Sequence, residues 1–262
     1  MQMGAHVDQT DPVAEAVARG AEVVQFFLGN PQSWKGPQLA YAGGAGALKQ
    51  AAADAGVTLY VHAPYAINVA SLNNRIRIPG RKLLQQHVRM AAEVGAAGVI
   101  VHGGHLGAEE DAEKGFDNWR KCIEGLELPI PLLIENTAGG DNAMARRLER
   151  IERLWTAVQA AEGAERVGFC LDTCHAHAGG NELVGLVEKI RGITGRIDLV
   201  HVNDSRDQFD SGADRHANLG TGNCDPEGLA EVCRSSGAPL LLETPGGVDE
   251  HVADLDWLRE RV

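Results

Sequence analysis

The chain has 262 residues, 44% apolar and 23% charged, the composition of a folded globular protein with room for a full core. Its formal net charge of −12 argues against a polyanion held by overall charge, and no apolar run approaches the ~20 residues that span a bilayer. The opening MQMGAHVDQTD lacks the basic start and apolar stretch of a secretory signal, so a cytoplasmic location is expected, and five cysteines, an odd number, argue against a disulfide framework.

Eight apolar or β-branched runs read as strands, at 3–7, 22–28, 57–62, 97–102, 131–135, 167–172, 197–202 and 239–243. Helical patterns lie between them. Leu83, Leu84, Val88, Ala91 and Ala92 follow Pro79, a residue suited to a helix start. Leu148, Ile151, Trp155 and Val158 recur at three- and four-residue spacing, with charged residues on the other faces. Eight βα units in a chain of this length predict a (β/α)8 TIM barrel, one domain over residues 1–262, with its active site at the C-terminal strand ends. A doubly wound open sheet would not gather six strand ends round one centre. The longest predicted loop runs from Ser205 to about Asp225.

Six strands end in a residue able to bind metal: His62 in LYVHAP, His102 in VIVHGG, Glu135 in PLLIENT, Asp172 in GFCLDTCH, His201 in DLVHVND and Glu243 in PLLLET. The segment DRHANLGTG adds Asp214 and His216, and His175 follows Asp172 by three residues. Such side chains are costly at the edge of a core unless paired or metal-bound. One histidine at a strand end is ordinarily structural; six ligand-type residues in series imply convergence on one polar site.

Five imidazoles and four carboxylates suit zinc or manganese better than magnesium. Nine ligands exceed the need of one ion and suit two or three. A single turn could aim Asp172 and His175 at neighbouring ions, while Asp214 and His216, two apart in an extended segment, would face the same way. Three divalent ions, +6 in all, would bring the net charge of −12 to −6 and leave the cleft locally positive. Cys170 and Cys174 flank Asp172 and read as core thiols rather than ligands. His6, His105 and His177 lie where they could hydrogen-bond to ligands. His87 and His251 fall on helices and receive no role.

The segments MGAHV, FFLGNPQSW, VHAPYAINVAS, VIVHGGH, LIENTAGG, FCLDTCHAHAGG, VHVNDSRD, DRHANLGTG and LLLETPG resemble the endonuclease IV family of apurinic/apyrimidinic (AP) endonucleases, over nearly the whole chain. NPQSWKGP and NNRIRIPGRK look like its actinobacterial branch. The resemblance implies a zinc-dependent DNA repair enzyme of TIM-barrel fold. It makes His62, His102 and Glu135 ligands of a first zinc; Glu135, Asp172, His201 and Glu243 of a second; and His175, Asp214 and His216 of a third, with manganese or iron possible in place of one zinc.

By the same resemblance Glu135, Asp172 and Glu243 are catalytic, and the phosphodiester 5′ to an abasic nucleotide is hydrolysed, with trimming of blocked 3′ ends expected. Double-stranded DNA is the implied partner and a monomer the implied state. Tyr65 matches an aromatic wedge that enters the minor groove. Where the best-known members place Arg and Leu, this chain has Gln32 and Ala66, so weaker lesion trapping or a different wedge is expected, with Trp34 or Asn30 as helpers. Arg206 and Arg215 are phosphate contacts by family position, and Arg75, Arg77, Arg81 and Lys82 are looser candidates.

Two other readings compete. A sugar isomerase or epimerase on the same kind of barrel would use one divalent ion on Glu135, Asp172, His201 and Glu243, leaving His62, His102, His175, Asp214 and His216 unexplained. A silent binder of damaged DNA would have no use for so complete a ligand set.

Overall fold

The computed structural model describes residues 1–140 and 142–262. Eight parallel strands close into a barrel: β1 (Met3–His6), β2 (Val23–Phe27), β3 (Thr58–His62), β4 (Gly98–His102), β5 (Leu132–Glu135), β6 (Val167–Asp172), β7 (Leu199–His201) and β10 (Leu240–Leu242). Two short strands, β8 (Asp204–Ser205) and β9 (His216–Ala217), pair antiparallel inside the segment read as a long loop. Helices α1 (Pro12–Arg19), α2 (Gly44–Ala55), α3 (Asn74–Glu93), α4 (Ala112–Glu124), α5 (Leu148–Gln159), α6 (Thr173–Ala178), α7 (Leu186–Thr194), α8 (Pro226–Ser236) and α9 (Val248–Arg259) complete the described elements, with one short 3-10 turn before β6. The eight predicted strands all form, with ends shifted by a residue or two.

The helices start where local chemistry dictates. Asp11 and Asp225 cap α1 and α8 through their carboxylates, each followed by a proline that needs no N–H at that position. α3 departs from expectation. It begins at Asn74, with Asn73 accepting the Arg75 N–H at 2.9 Å, so Pro79 lies inside the helix rather than at its start. A side-chain cap six residues earlier outweighs the hydrogen bond that Pro79 cannot donate. The early start lifts Arg75 and Arg77 toward the C-terminal face.

One core layer fills the barrel: Val23, Tyr60, Ile100, Leu133, Cys170, Leu199 and Leu241. A larger one packs the strands against the helices, including Phe26, Leu84, Ile134, Trp119 and Leu255. Trp119 also donates to the Gly103 carbonyl at 2.8 Å, tying α4 to the end of β4.

Candidate metal centre

Side chains on a strand alternate sides, so the residue two beyond an inward core residue also faces inward. Six core-layer residues are followed at that spacing by a predicted ligand: Tyr60 by His62, Ile100 by His102, Leu133 by Glu135, Cys170 by Asp172, Leu199 by His201 and Leu241 by Glu243. Val23 is followed in the same way by Gln25, which completes the same polar layer and is fully buried. Register reinforces the arrangement, because His102 pairs with Glu135 and Asp172 with His201 across adjacent strands.

Glu135 sits at the centre, with no exposed surface. Its Oε2 lies 3.3 Å from His62 Nε2 and 3.3 Å from His102 Nε2. Its Oε1 lies 3.2 Å from His201 Nδ1 and 3.1 Å from His175 Nδ1. The carboxylate therefore faces two groups of donors with its two oxygens. His62, His102 and Glu135 bring ligand atoms within 4.8 Å of one another, as do Glu135, Asp172, His201 and Glu243.

A third limb comes from α6 and the β8–β9 ribbon. Asp172 caps α6, accepting the His175 N–H at 2.7 Å, which turns that imidazole toward the ribbon. Asp214 Oδ1 stands 3.1 Å from His175 Nε2 and 3.2 Å from His216 Nε2. Ligand atoms of Asp172, His175 and His216 also fall within 4.8 Å of one another, and so do those of Cys174, Asp214 and His216. The Cys174 sulfur, read from sequence as a core thiol, is both fully buried and within reach of this limb. Burial pushes its thiol up to about 12, so it stays protonated in the ion-free protein.

The ring nitrogens are sorted by their partners. His62 Nδ1 bonds the Ala63 carbonyl at 2.7 Å, and His216 Nδ1 the Glu243 carbonyl at 3.1 Å, each leaving Nε2 toward the cluster. His201 is reversed: Nε2 donates to Gln25 Oε1 at 2.9 Å and Nδ1 faces the acids. Such outer contacts fix the tautomer of a metal-binding imidazole. His216 Nε2 is buried and aimed into the cluster, with Asp214 and Asp172 oxygens at 3.2 and 3.8 Å but no hydrogen bond of good geometry among the described residues. These residues fit divalent ions of the zinc kind.

Charge is balanced inside the cluster. Burial would raise the Glu135 carboxyl, but His102 and His201 outweigh it and hold the group well below its ordinary range. Burial would lower His175, but Asp172 and Asp214 hold it well above. Burial likewise opposes protonation of His216, and Asp214 with Asp172 still lifts it to about 9. Asp172 goes the other way, raised chiefly by burial.

Several contributors went unread in the sequence. Gln25 links His201 to Glu243, donating to Glu243 Oε1 at 2.5 Å. Asn203 donates to Asp172 Oδ2 at 2.7 Å and accepts the Glu243 N–H at 2.8 Å. Asn136 exchanges two bonds with the Asp172 backbone and takes His175 Nδ1 on its carbonyl. Their signal was present as a polar residue inside VVQFF and as Asn beside a ligand in IENT and HVND. Of the three further histidines, His6 approaches Glu243 at 3.7 Å, His177 binds the Asp207 carbonyl and His105 is exposed.

A cavity of about 560 Å³ opens beside the cluster, bordered by Tyr65, His102, Leu106, Ala138, His175 and Asp214. Tyr65, 52% exposed, sets its ring 5.5 Å from those of His62 and His102 and 5.4 Å from Phe27. Asn30 and Gln32 are exposed on the β2–α2 loop, where Asn30 Oδ1 accepts the Gln32 N–H at 2.9 Å. Arg206 is exposed, and Arg215 is engaged by Asp207. Arg77 and Arg81 turn back to bond the Ser71 and Asn118 carbonyls, whereas Arg75 and Lys82 point outward with Trp34.

The family model described as a xylose isomerase-like TIM barrel matches residues 13–261. "Probable endonuclease 4" of Mycobacterium bovis is 54% identical over 100% of this chain and 99% of its own length. The protein of the same description from Mycobacterium leprae is 52% identical, again over 100% of this chain and 99% of its own. Among solved structures, endonuclease IV from Thermus thermophilus superposes with a TM-score of 0.85 at 28% identity, covering 99% of this chain and 98% of that one. A D-tagatose 3-epimerase-like protein, at 18% identity and a TM-score of 0.79 over 100% and 97% of the two chains, shares the fold.

Proposed function

The chain belongs to the endonuclease IV family, and from that premise we propose that it cuts double-stranded DNA on the 5′ side of abasic nucleotides, leaving a 3′-hydroxyl and a 5′-deoxyribose phosphate, and trims blocked 3′ ends. The observation that carries this reading is the division of Glu135 between two donor groups, with a third limb from His175, Asp214 and His216 beside them. A sugar isomerase would need one ion and one ligand set.

His62, His102 and Glu135 would hold a first zinc; Glu135, Asp172, His201 and Glu243 a second; His175, Asp214 and His216 a third, with manganese able to replace zinc at one of the three. When bound, such ions lower the pKa of water toward neutrality and offset the charge on a phosphate. The chain's own part is to fix the spacing of these groups through Glu135 and to exclude competing solvent from a cluster buried on the barrel side. Glu243, bonded by Gln25, orients a carboxylate toward the attacking water. No protein nucleophile is required.

An abasic nucleotide has no base to unstack, so its extrusion costs least at the lesion. Tyr65 stands at the rim to fill the space left behind, with Gln32 and Asn30 on the adjoining loop and Arg206 and Arg215 beside the ribbon. The enzyme acts as a monomer of one catalytic domain in the cytoplasm.

The deciding experiment is cleavage of a synthetic abasic duplex by metal-replete protein, with and without a strong chelator, alongside a metal count. Incision at the lesion, lost on chelation, with about three zincs per chain is expected. An uncut duplex, or one ion per chain with turnover of a ketose, would overturn the proposal.

A further inference from the structure

A second surface lies outside the metal cleft. A groove of about 490 Å³ runs between the β2–α2 loop and α3, lined by Trp34, Arg75, Pro79, Lys82, Leu83 and Gln86. Trp34 is 49% exposed, whereas Trp119 and Trp155 are buried. Gly36 seats the loop against the Gln86 side chain. Two residues before Gln32 the same loop bears Asn30, and Pro31 accepts the Tyr65 N–H at 2.9 Å. The groove therefore continues outward from the rim at Tyr65.

Its charge is unlike that of the rest of the molecule. Residues 31–93, from that loop to the end of α3, hold seven Lys or Arg and two acids, Asp54 and Glu93, a net +5 within a chain of −12, so the remainder carries −17. Arg77 and Arg81 are spent on backbone carbonyls and Arg89 pairs with Glu127. Among the described residues Arg75 and Lys82 form no ion pair and are exposed where α3 nears the C-terminal face. On the ribbon, by contrast, charges of both signs are interleaved: Asp207 engages Arg215, Asp210 engages Arg146 and Arg147, and Asp214 faces His175 and His216. A polyanion that reaches past the cluster meets uncompensated positive charge at the groove and largely balanced charge at the ribbon.

We propose that this groove holds the sugar–phosphate backbone of the duplex flank beyond the lesion, with phosphates at Arg75 and Lys82 and the Trp34 indole against a deoxyribose. This rests on the reading of DNA as substrate. Cations position nucleic acid without reading sequence, so the groove supplies register and affinity rather than choice of lesion.

The test combines anisotropy with undamaged duplexes of about 10 and about 30 base pairs and steady-state cleavage of abasic duplexes of the same lengths. Trp34→Ala and the double variant Arg75→Ala/Lys82→Ala are expected to weaken the longer duplex about tenfold and the shorter little, and the double variant to reduce the log–log salt slope by about two. KM for the long substrate should rise with kcat unchanged. Lys189→Ala on α7 is the control for net charge. Equal loss on both lengths, no loss, or the same loss in Lys189→Ala would overturn the proposal. If wild-type protein shows the groove-dependent binding but leaves abasic DNA intact, the catalytic reading fails and the groove stands.

Discussion

Asp204 and Gly222 approach so closely that only glycine fits at the second position. Asp204 Oδ2 accepts the Gly222 N–H at 2.9 Å, and a Cβ on Gly222 would collide with Asp204 Oδ1 and the Ser205 carbonyl oxygen. The same buried carboxylate takes the N–H groups of Ser205, Gly220 and Cys224 at 2.7, 3.1 and 2.9 Å. Four donors on one carboxylate staple both ends of the ribbon that presents Asp214 and His216.

Asp204→Ala should free that ribbon. Losing several charge-assisted bonds in a buried setting costs about 3 kcal/mol. We expect a lower Tm, new proteolysis between Arg206 and Arg215, and loss of about one metal ion per chain as the third limb loosens. Unchanged metal content with a protease-resistant ribbon would show that the strand pairing alone holds it.

Gln25 sets the orientation of His201 and Glu243 together, through bonds at 2.9 and 2.5 Å. Gln25→Ala leaves the His201 Nε2–H buried and unpaired and frees Glu243 to rotate. Zinc affinity at the site shared with Glu135 and Asp172 should fall about 10- to 100-fold, measured by competition with a chromogenic chelator. Wild-type affinity in this variant would remove Gln25 from the metal centre.

Glu135→Gln keeps the shape of the central side chain and removes its charge. With one oxygen replaced by an amide, the group can no longer face both donor sets as an acceptor. We expect cleavage to drop at least about a thousandfold, while affinity for abasic duplex, measured with intact protein, stays within a few-fold of wild type. Substantial turnover would overturn the bridging role.

The barrel was legible because its strands are short apolar runs at regular spacing, and the convergence of the candidate side chains because Asp, Glu and His are so poorly suited to strand ends. What escaped reading depends on three-dimensional neighbours. Gln25 belongs to the polar layer only because it lies two residues past Val23 on an inward face, a fact that needs the strand's orientation. The start of α3 was misread because Pro79 signals a first turn, while the Asn73 side chain sets a cap six residues earlier. Cys174 could not be placed near Asp214 without the fold of the ribbon, which sequence shows only as a Gly- and Asp-rich stretch. Arg75 and Arg77 are alike in sequence, and only contacts separate the outward one from the one bonded to Ser71.

His87 offers a test of stability away from the metal centre. It lies on α3, 1% exposed, with neither ring nitrogen hydrogen-bonded among the described residues. Burial pulls its imidazole from 6.5 down to about 4. Between those values the unfolded chain binds a proton that the folded chain does not, so stability falls as pH drops through that window, by about 3 kcal/mol at its lower end. His87→Leu removes both the unpaired nitrogens and the proton linkage. The variant should melt somewhat higher than wild type at pH 8 and by a wider margin at pH 5, because only wild type loses stability on acidification at this position. A margin that stays constant or narrows between the two pH values would mean that His87 is solvated or partnered in solution, and that its burial does not govern the acid response.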